Sequence, residues 1–463
     1  MSAQKLERDN AFADYYRCPH DVARLAALPD LSRESGYFKF GDALGFGRVA
    51  GGPPARYATD SLIDVSTRTQ IANGRAVLPF DITEVATNLR RERYRRNGYD
   101  LLQRTTSGGV AQRLYYLLRP FLGIPLRKHL QKVRLRNWEK IPFPKWPVDR
   151  TVDALMENAM SAALKARDEA SIPFIWFWPD GATAAAMMTH DVEGSSGLDF
   201  CDELMNIDDA HGIKSAFQLI PEGHEDAWQR AAMRLRQRGF EVNLHDLNHD
   251  GQLFADKQEF LERAERINQY AREFQCEGFR SGAMYREQDW FGAFEFSYDM
   301  SVPNVAHLEP QRGGCCTLMP YFVGDILELP LTTVQDYTLF HILNDYSITL
   351  WKRQIELISG HHGLVSIITH PDYMIGAREQ SIYVDLLRHL NDRRNRDGLW
   401  VALPGEINRW WRNRNQMTLV RDGDNWHVEG PDAARARVAY ATLTADGRVA
   451  YSSTRSAGSR ALA

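Results

Sequence analysis

Between about residues 150 and 415, stretches with helical hydrophobic period alternate with short apolar runs. The apolar runs predict strands at 182–188, 214–219, 240–244, 277–280, 298–302, 326–330, 365–369 and 399–403. Helices are expected between most of them, at 198–210, 225–238, 257–274, 351–359 and 381–396. Gly239 and Gly363 stand where a helix C-terminal cap is wanted, just ahead of the next strand. Regular β-α alternation implies an α/β fold with a parallel sheet, open or closed into a barrel.

The flanks read differently. In residues 1–75, Gly51-Gly52-Pro53-Pro54 marks a loop, and short alternating runs over 57–78 suggest strands. Gly45-Phe46-Gly47 starts like a dinucleotide loop but lacks the third glycine, which excludes that motif. Residues 81–140 look helical and basic, and 111–138 carries seven Lys or Arg with no acid. Its leucine-rich face fits a helical collar with a solvated basic side. It also fits an interfacial helix on an anionic leaflet, making 111–138 a candidate peripheral membrane contact. Pro120 and Pro125 break the segment, and the prolines of 141–147 mark a boundary. Residues 416–452 read as two hairpins, with turns at Asp422-Gly423-Asp424 and Ala445-Asp446-Gly447. The expected organisation is therefore an N-terminal α/β extension over 1–150, a central α/β region over 151–415, and a small antiparallel β appendage with tail over 416–463.

Composition narrows the class. The 463 residues are 44% hydrophobic and 25% charged, enough for two or three soluble domains. A net charge of -4 does not advertise a nucleic-acid partner. Five cysteines without a CxxC pair argue against a disulfide framework, and adjacent Cys315 and Cys316 read as small buried residues. The N-terminus has no apolar core of signal-peptide length, and no stretch approaches the roughly 18 apolar residues of a membrane span. A cytoplasmic protein is expected.

The chemistry sits at strand ends. The run Ala184 to Met188 finishes in His190, Asp191 and Glu193, and buried strands do not normally end in carboxylates unless something there needs charge. His245 and His249 follow the third strand, Arg280 closes the fourth, and His370 follows the seventh. In a parallel barrel these ends converge on one rim. His245 and His249 are four apart, so a helical turn would stack both imidazoles on one face. An HxxxH pair alone is weak, since it occurs on plain surface helices. With one carboxylate it has the composition of an open zinc site. Asp191 and Glu193 are two apart and point the same way on an extended segment, so one can bind metal while the other takes a proton. Asp336 and Asp372 are further rim acids to which the sequence assigns no role. Trp176, Trp178, Trp400, Trp410 and Trp411 are candidate sugar-stacking rings, though such tryptophans more often pack in cores.

Thr189-His190-Asp191-Val192-Glu193, His245-Asp246-Leu247-Asn248-His249, Gly278-Phe279-Arg280 and Ile368-Thr369-His370-Pro371 occur in an order that resembles the polysaccharide deacetylase (NodB-homology) family. The resemblance covers roughly residues 180–410. It implies a distorted (β/α) barrel, Zn2+ or another divalent metal, and removal of an acetyl group from an N-acetylated sugar. By that resemblance Asp191 matches the general base, and His370 the general acid. Glu193, His245 and His249 match the metal ligands, and Arg280 the residue that orients the base. The chain departs from the family in carrying Glu193 where aspartate is usual and Arg280-Ser281-Gly282 where a proline is usual. Two rivals share the barrel: a hydrolase of a non-sugar amide or cyclic imide, and a non-catalytic carbohydrate-binding descendant.

Overall fold

A computed structural model gives the fold and describes residues 10–23, 25–97, 135, 137–167, 169–223 and 225–453. The basic segment 111–138 lies outside the described residues except at 135, 137 and 138. Among the described residues no helix is long and apolar enough to cross a membrane.

Two compact units emerge, one from residues within 1–98, 150–181 and 410–463, the other from 99–149 and 182–409. In the first, strand Gly36–Phe40 pairs with Ala43–Gly47, so the Gly45-Phe46-Gly47 stretch is hairpin strand. The expected C-terminal hairpins are present: Thr418–Asp422 with Asn425–Glu429, and Val438–Leu443 with Val449–Ser452. Val438–Leu443 also pairs on its other side with Ile172–Ile175, a strand the sequence reading did not anticipate. Trp178, Trp410 and Trp411 are buried in this unit, with the Trp410 indole donating to the Phe177 carbonyl at 2.8 Å. They are core residues, as such tryptophans usually are.

The second unit is the α/β body. Its strands are β1 (Ala184–Val192), β2 (Ala216–Leu219), β3 (Glu241–His245), β4 (Gly278–Arg280), β5 (Tyr298–Asp299), β6 (Tyr321–Val323), β7 (Ile326–Glu328), β8 (Leu364–Thr369) and β9 (Leu399–Val401). Helices α1 (Ser195–Ala210), α2 (Glu225–Gln237), α3 (Lys257–Phe274), α4 (Thr349–Ser359) and α5 (Ala377–Asp397) run between them. The sheet runs β6-β7-β5-β4-β3-β2-β1-β8, and β9 pairs with the first half of β1. All pairings are parallel except β6 with β7, and the sheet curls as a half-barrel of the (β/α) type. Every residue of β1 is buried, as the continuous apolar run of a central parallel strand requires.

The strand β6 was missed. Its signal was there: Gly324-Asp325 between two apolar runs is a two-residue hairpin loop, with Gly324 at φ +64°. Gly239 has φ +78°, as a left-handed cap needs. Gly363 does not act as a cap. A Cβ there would meet Leu318 at 2.7 Å and Ile358 at 2.9 Å, so close packing is what demands glycine. His362 takes the left-handed position instead, at φ +60°.

Candidate active site

The strand β1 runs to Val192, so Asp191 sits on the strand itself and Glu193 directly beyond it. Alternation sends Thr189 and Asp191 to one face and His190 to the other. On the first face, the buried Arg280 guanidinium at the end of β4 reaches across the sheet. Its Nη1 donates to Asp191 Oδ1 at 2.6 Å and to Thr189 Oγ1 at 2.9 Å, and its Nε to the Met300 carbonyl at 3.1 Å. Burial pushes the Asp191 pKa up, but Arg280, His245 and His370 outweigh it and hold the carboxyl below its ordinary range. Asp191 is therefore a buried carboxylate kept ionised.

His245 ends β3, with Nδ1 3.1 Å from the Arg280 carbonyl. That contact leaves Nε2 facing the acids, 3.9 Å from Asp191 Oδ2 and 3.6 Å from Glu193 Oε1. The helical turn expected for 245–249 is not what forms. His245 is strand, and Asp246 and His249 are left-handed, at φ +58° and +56°. The tight loop still brings the two rings to 5.0 Å between centroids. His249 Nε2 lies 3.0 Å from Glu193 Oε1. One donor atom from each of Glu193, His245 and His249 falls within 4.8 Å of the other two. The donor set suits a divalent cation of zinc type, two imidazoles and one carboxylate. His245 Nε2 is buried with no hydrogen-bond partner, as a nitrogen reserved for a ligand bond would be.

His370 follows β8. Its Nδ1 is 2.6 Å from Asp336 Oδ1, and its backbone N–H donates to Asp336 Oδ2 at 2.7 Å. The other ring nitrogen faces Glu193 Oε1 at 3.6 Å. Burial opposes charge on this ring, yet the Asp336 and Glu193 carboxylates raise its pKa well above the ordinary histidine value. The imidazolium form is thus favoured. All six residues expected at the site come together: base and acid candidates flank one ligand set, and Arg280 grips the base.

No family model matches the sequence, and no curated protein does. Its neighbours among solved structures include polysaccharide deacetylases. A polysaccharide deacetylase structure from Mycobacterium smegmatis, described as putative, aligns with 51% of this chain and 93% of its own, at 18% identity and TM-score 0.40. A probable polysaccharide deacetylase from Pseudomonas aeruginosa PAO1 aligns with 51% of this chain and 93% of its own, at 13% identity and TM-score 0.39. An allantoinase structure aligns with 51% of this chain and 92% of its own, at 12% identity and TM-score 0.40.

Three features of the candidate site escaped the sequence reading. Asp336 stood out as a rim acid, but its grip on His370 joins residues 34 positions apart. The Arg280-Ser281-Gly282 departure has a local reason. The Gly282 N–H donates to Asp246 Oδ2 at 3.2 Å, which proline could not do. A Cβ at Gly282 would also come within 2.4 Å of Asp246 Oδ2 and 2.9 Å of His249 Cδ2. Behind the site, buried His190 meets Thr369 Oγ1 at 2.8 Å through Nδ1 and Asp208 Oδ2 at 3.2 Å through Nε2. Ser215 and Tyr383 both donate to Asp208 at 2.6 Å. The network pins α1 and α5 to β1 and β8.

Proposed function

We propose that the chain is a metal-dependent hydrolase that removes an acetyl group from an N-acetylated sugar. The carrying observation is the clustering of these groups: an ionised Asp191 held by Arg280, the Glu193–His245–His249 donor set, and an imidazole held by Asp336. A divalent cation bound there would supply Lewis acidity toward the acetyl carbonyl and toward water. Asp191 then takes the proton of the attacking water, with Arg280 keeping it charged and aimed. His370 gives a proton to the leaving nitrogen, since an amine leaves poorly without one. Asp336 holds the ring in the orientation that presents Nε2. A complete set of base, acid and ligands favours an enzyme over a binding-only descendant. The sugar comes from the resemblance of the ordered motifs. Cyclic imides are the competing substrate.

The test is acetate release from short N-acetylated oligosaccharides by metal-stripped protein before and after zinc is restored. Zinc-dependent release is expected. Ring opening of a cyclic imide without acetate release from the sugars would move the reading to the rival substrate. His245→Ala should lower zinc affinity by more than the roughly 10–100-fold typical of losing an outer hydrogen-bond partner of a ligand. Zinc content equal to the parent's after dialysis would refute the ligand assignment.

Proton roles have their own signature. Asp336→Asn removes the larger of the charges that raise the His370 pKa. The acid must be protonated to work, so activity falls as pH rises through the His370 pKa. In Asp336→Asn that alkaline limb is expected at lower pH than in the parent. Superimposable pH profiles of kcat would exclude His370 as the acid.

A further inference from the structure

The residues that fix the distance between acid and ligand set are themselves visible. Helix α1 starts two residues after the ligand candidate Glu193, and its N-cap between them is Gly194, which offers no side chain. An N-cap side chain normally accepts from the second or third helical N–H. Here the acceptor comes from another part of the chain: Asp372 Oδ1 takes the N–H of Gly197, the third helical residue, at 2.9 Å. Asp372 lies in the short turn Pro371–Tyr373 directly after His370. That turn is closed by the Tyr373 N–H on the His370 carbonyl at 2.9 Å. A second observation is independent of the hydrogen bond. A Cβ at Gly197 would stand 2.3 Å from Asp372 Oδ2, and one at Gly194 3.3 Å from Oδ1. Glycine inside a helix is unfavourable, so Gly197 marks a place where the carboxylate must come close. A carboxylate is also the charge that a helix N-terminus favours.

We propose that Asp372 is a positioning residue that staples the segment carrying Glu193 to the segment carrying His370. It clamps the start of α1, four residues beyond Glu193, to a rigid turn two residues beyond His370. The 3.6 Å between Glu193 Oε1 and His370 Nε2 depends on that clamp. The proposal rests on the metal-hydrolase reading for its consequence, while the clamp itself does not.

The experiment is a double-mutant cycle on the full chain, read by zinc competition and by hydrogen exchange at the Gly197 amide. Asp372→Ala is expected to weaken zinc by about 10–100-fold, as lost support of a ligand does, and to accelerate Gly197 exchange. Asp372→Asn keeps an acceptor and should bring both readouts back to within about threefold of the parent, which also guards against a poorly folded alanine variant. Gly197→Ala alone should reproduce the Asp372→Ala defect, because its methyl displaces the carboxylate. Added to Asp372→Ala it should cost nothing more, a non-additivity diagnostic of direct contact. With substrate, kcat should drop while KM holds, since the acid acts on bond cleavage. Unchanged zinc affinity and Gly197 exchange in Asp372→Ala, or simple additivity of the pair, overturns the staple. If the parent protein takes no zinc, the metal-hydrolase reading falls instead, and Gly197 exchange alone decides the clamp.

Discussion

Asp191→Asn is expected to lower turnover by about 10²–10⁴-fold, the usual contribution of a general base, while leaving zinc content at the parent level. The carboxamide is nearly isosteric and can still accept from Arg280 Nη1, now 2.6 Å from Oδ1. What it cannot do is take a proton from water. The carboxylate is suited to that task by its surroundings: 1% exposure and three cationic or imidazole neighbours that overcome the burial penalty. Its pKa is depressed, so it stays ionised well into acid, and the parent's acidic limb should fall below the ordinary carboxylate range. Zinc-loaded parent and variant, compared by acetate release at saturating substrate, give the measurement. Near-parental kcat in Asp191→Asn would remove Asp191 from the reaction and leave the site without a base.

The sequence disclosed the sheet more fully than the site's wiring. Hydrophobic alternation placed eight of the nine strands of the α/β body, because central parallel strands are buried on both faces and read as unbroken apolar runs. Strand-end chemistry singled out six candidate residues that the fold brings together, since His245, Arg280 and His370 each stand at or just past a strand end. What stayed hidden was conformation and partnership. Spacing of four suggested a helical turn for His245 and His249, but the left-handed Asp246 and His249 achieve the same approach in a loop. Nothing local reports φ at a non-glycine residue. Partners such as Asp336 with His370, or Asp208 with His190, become visible only when the topology folds distant segments together. Glu193 is the converse case. As one methylene longer than the usual aspartate it looks like a defect, yet its Oε1 lies within 3.6 Å of all three facing imidazoles. The longer arm starts beyond the end of β1 and reaches back to them.

Arg280→Met should be the most destabilising single change at the site, costing about 3–5 kcal/mol, as expected when one member of a buried ion pair is removed. The guanidinium is 0% exposed and Asp191 1%, so neither charge is relieved by water. Methionine fills much of the volume but leaves the Asp191 carboxylate and the Met300 carbonyl without their donor. Lysine is a poor substitute, since a single ammonium cannot reach both by the fork that spans them. The pH dependence separates this account from simple loss of packing. In the parent the Asp191 pKa is depressed, so its contribution to stability is present above the unfolded carboxylate pKa and is lost as pH falls through the folded value. Without Arg280 the largest charge opposing burial is gone, so the Asp191 pKa moves up and the acid takes a proton at higher pH than in the parent. The gap between Arg280→Met and parent in urea midpoints should therefore narrow as pH is lowered. Adding Asp191→Asn to Arg280→Met should recover part of the loss at neutral pH, because the carboxylate that lost its guanidinium is then neutral. A gap that holds constant with pH, with no recovery in the double variant, would mean that Arg280 supports the sheet by packing alone and does not hold Asp191 ionised.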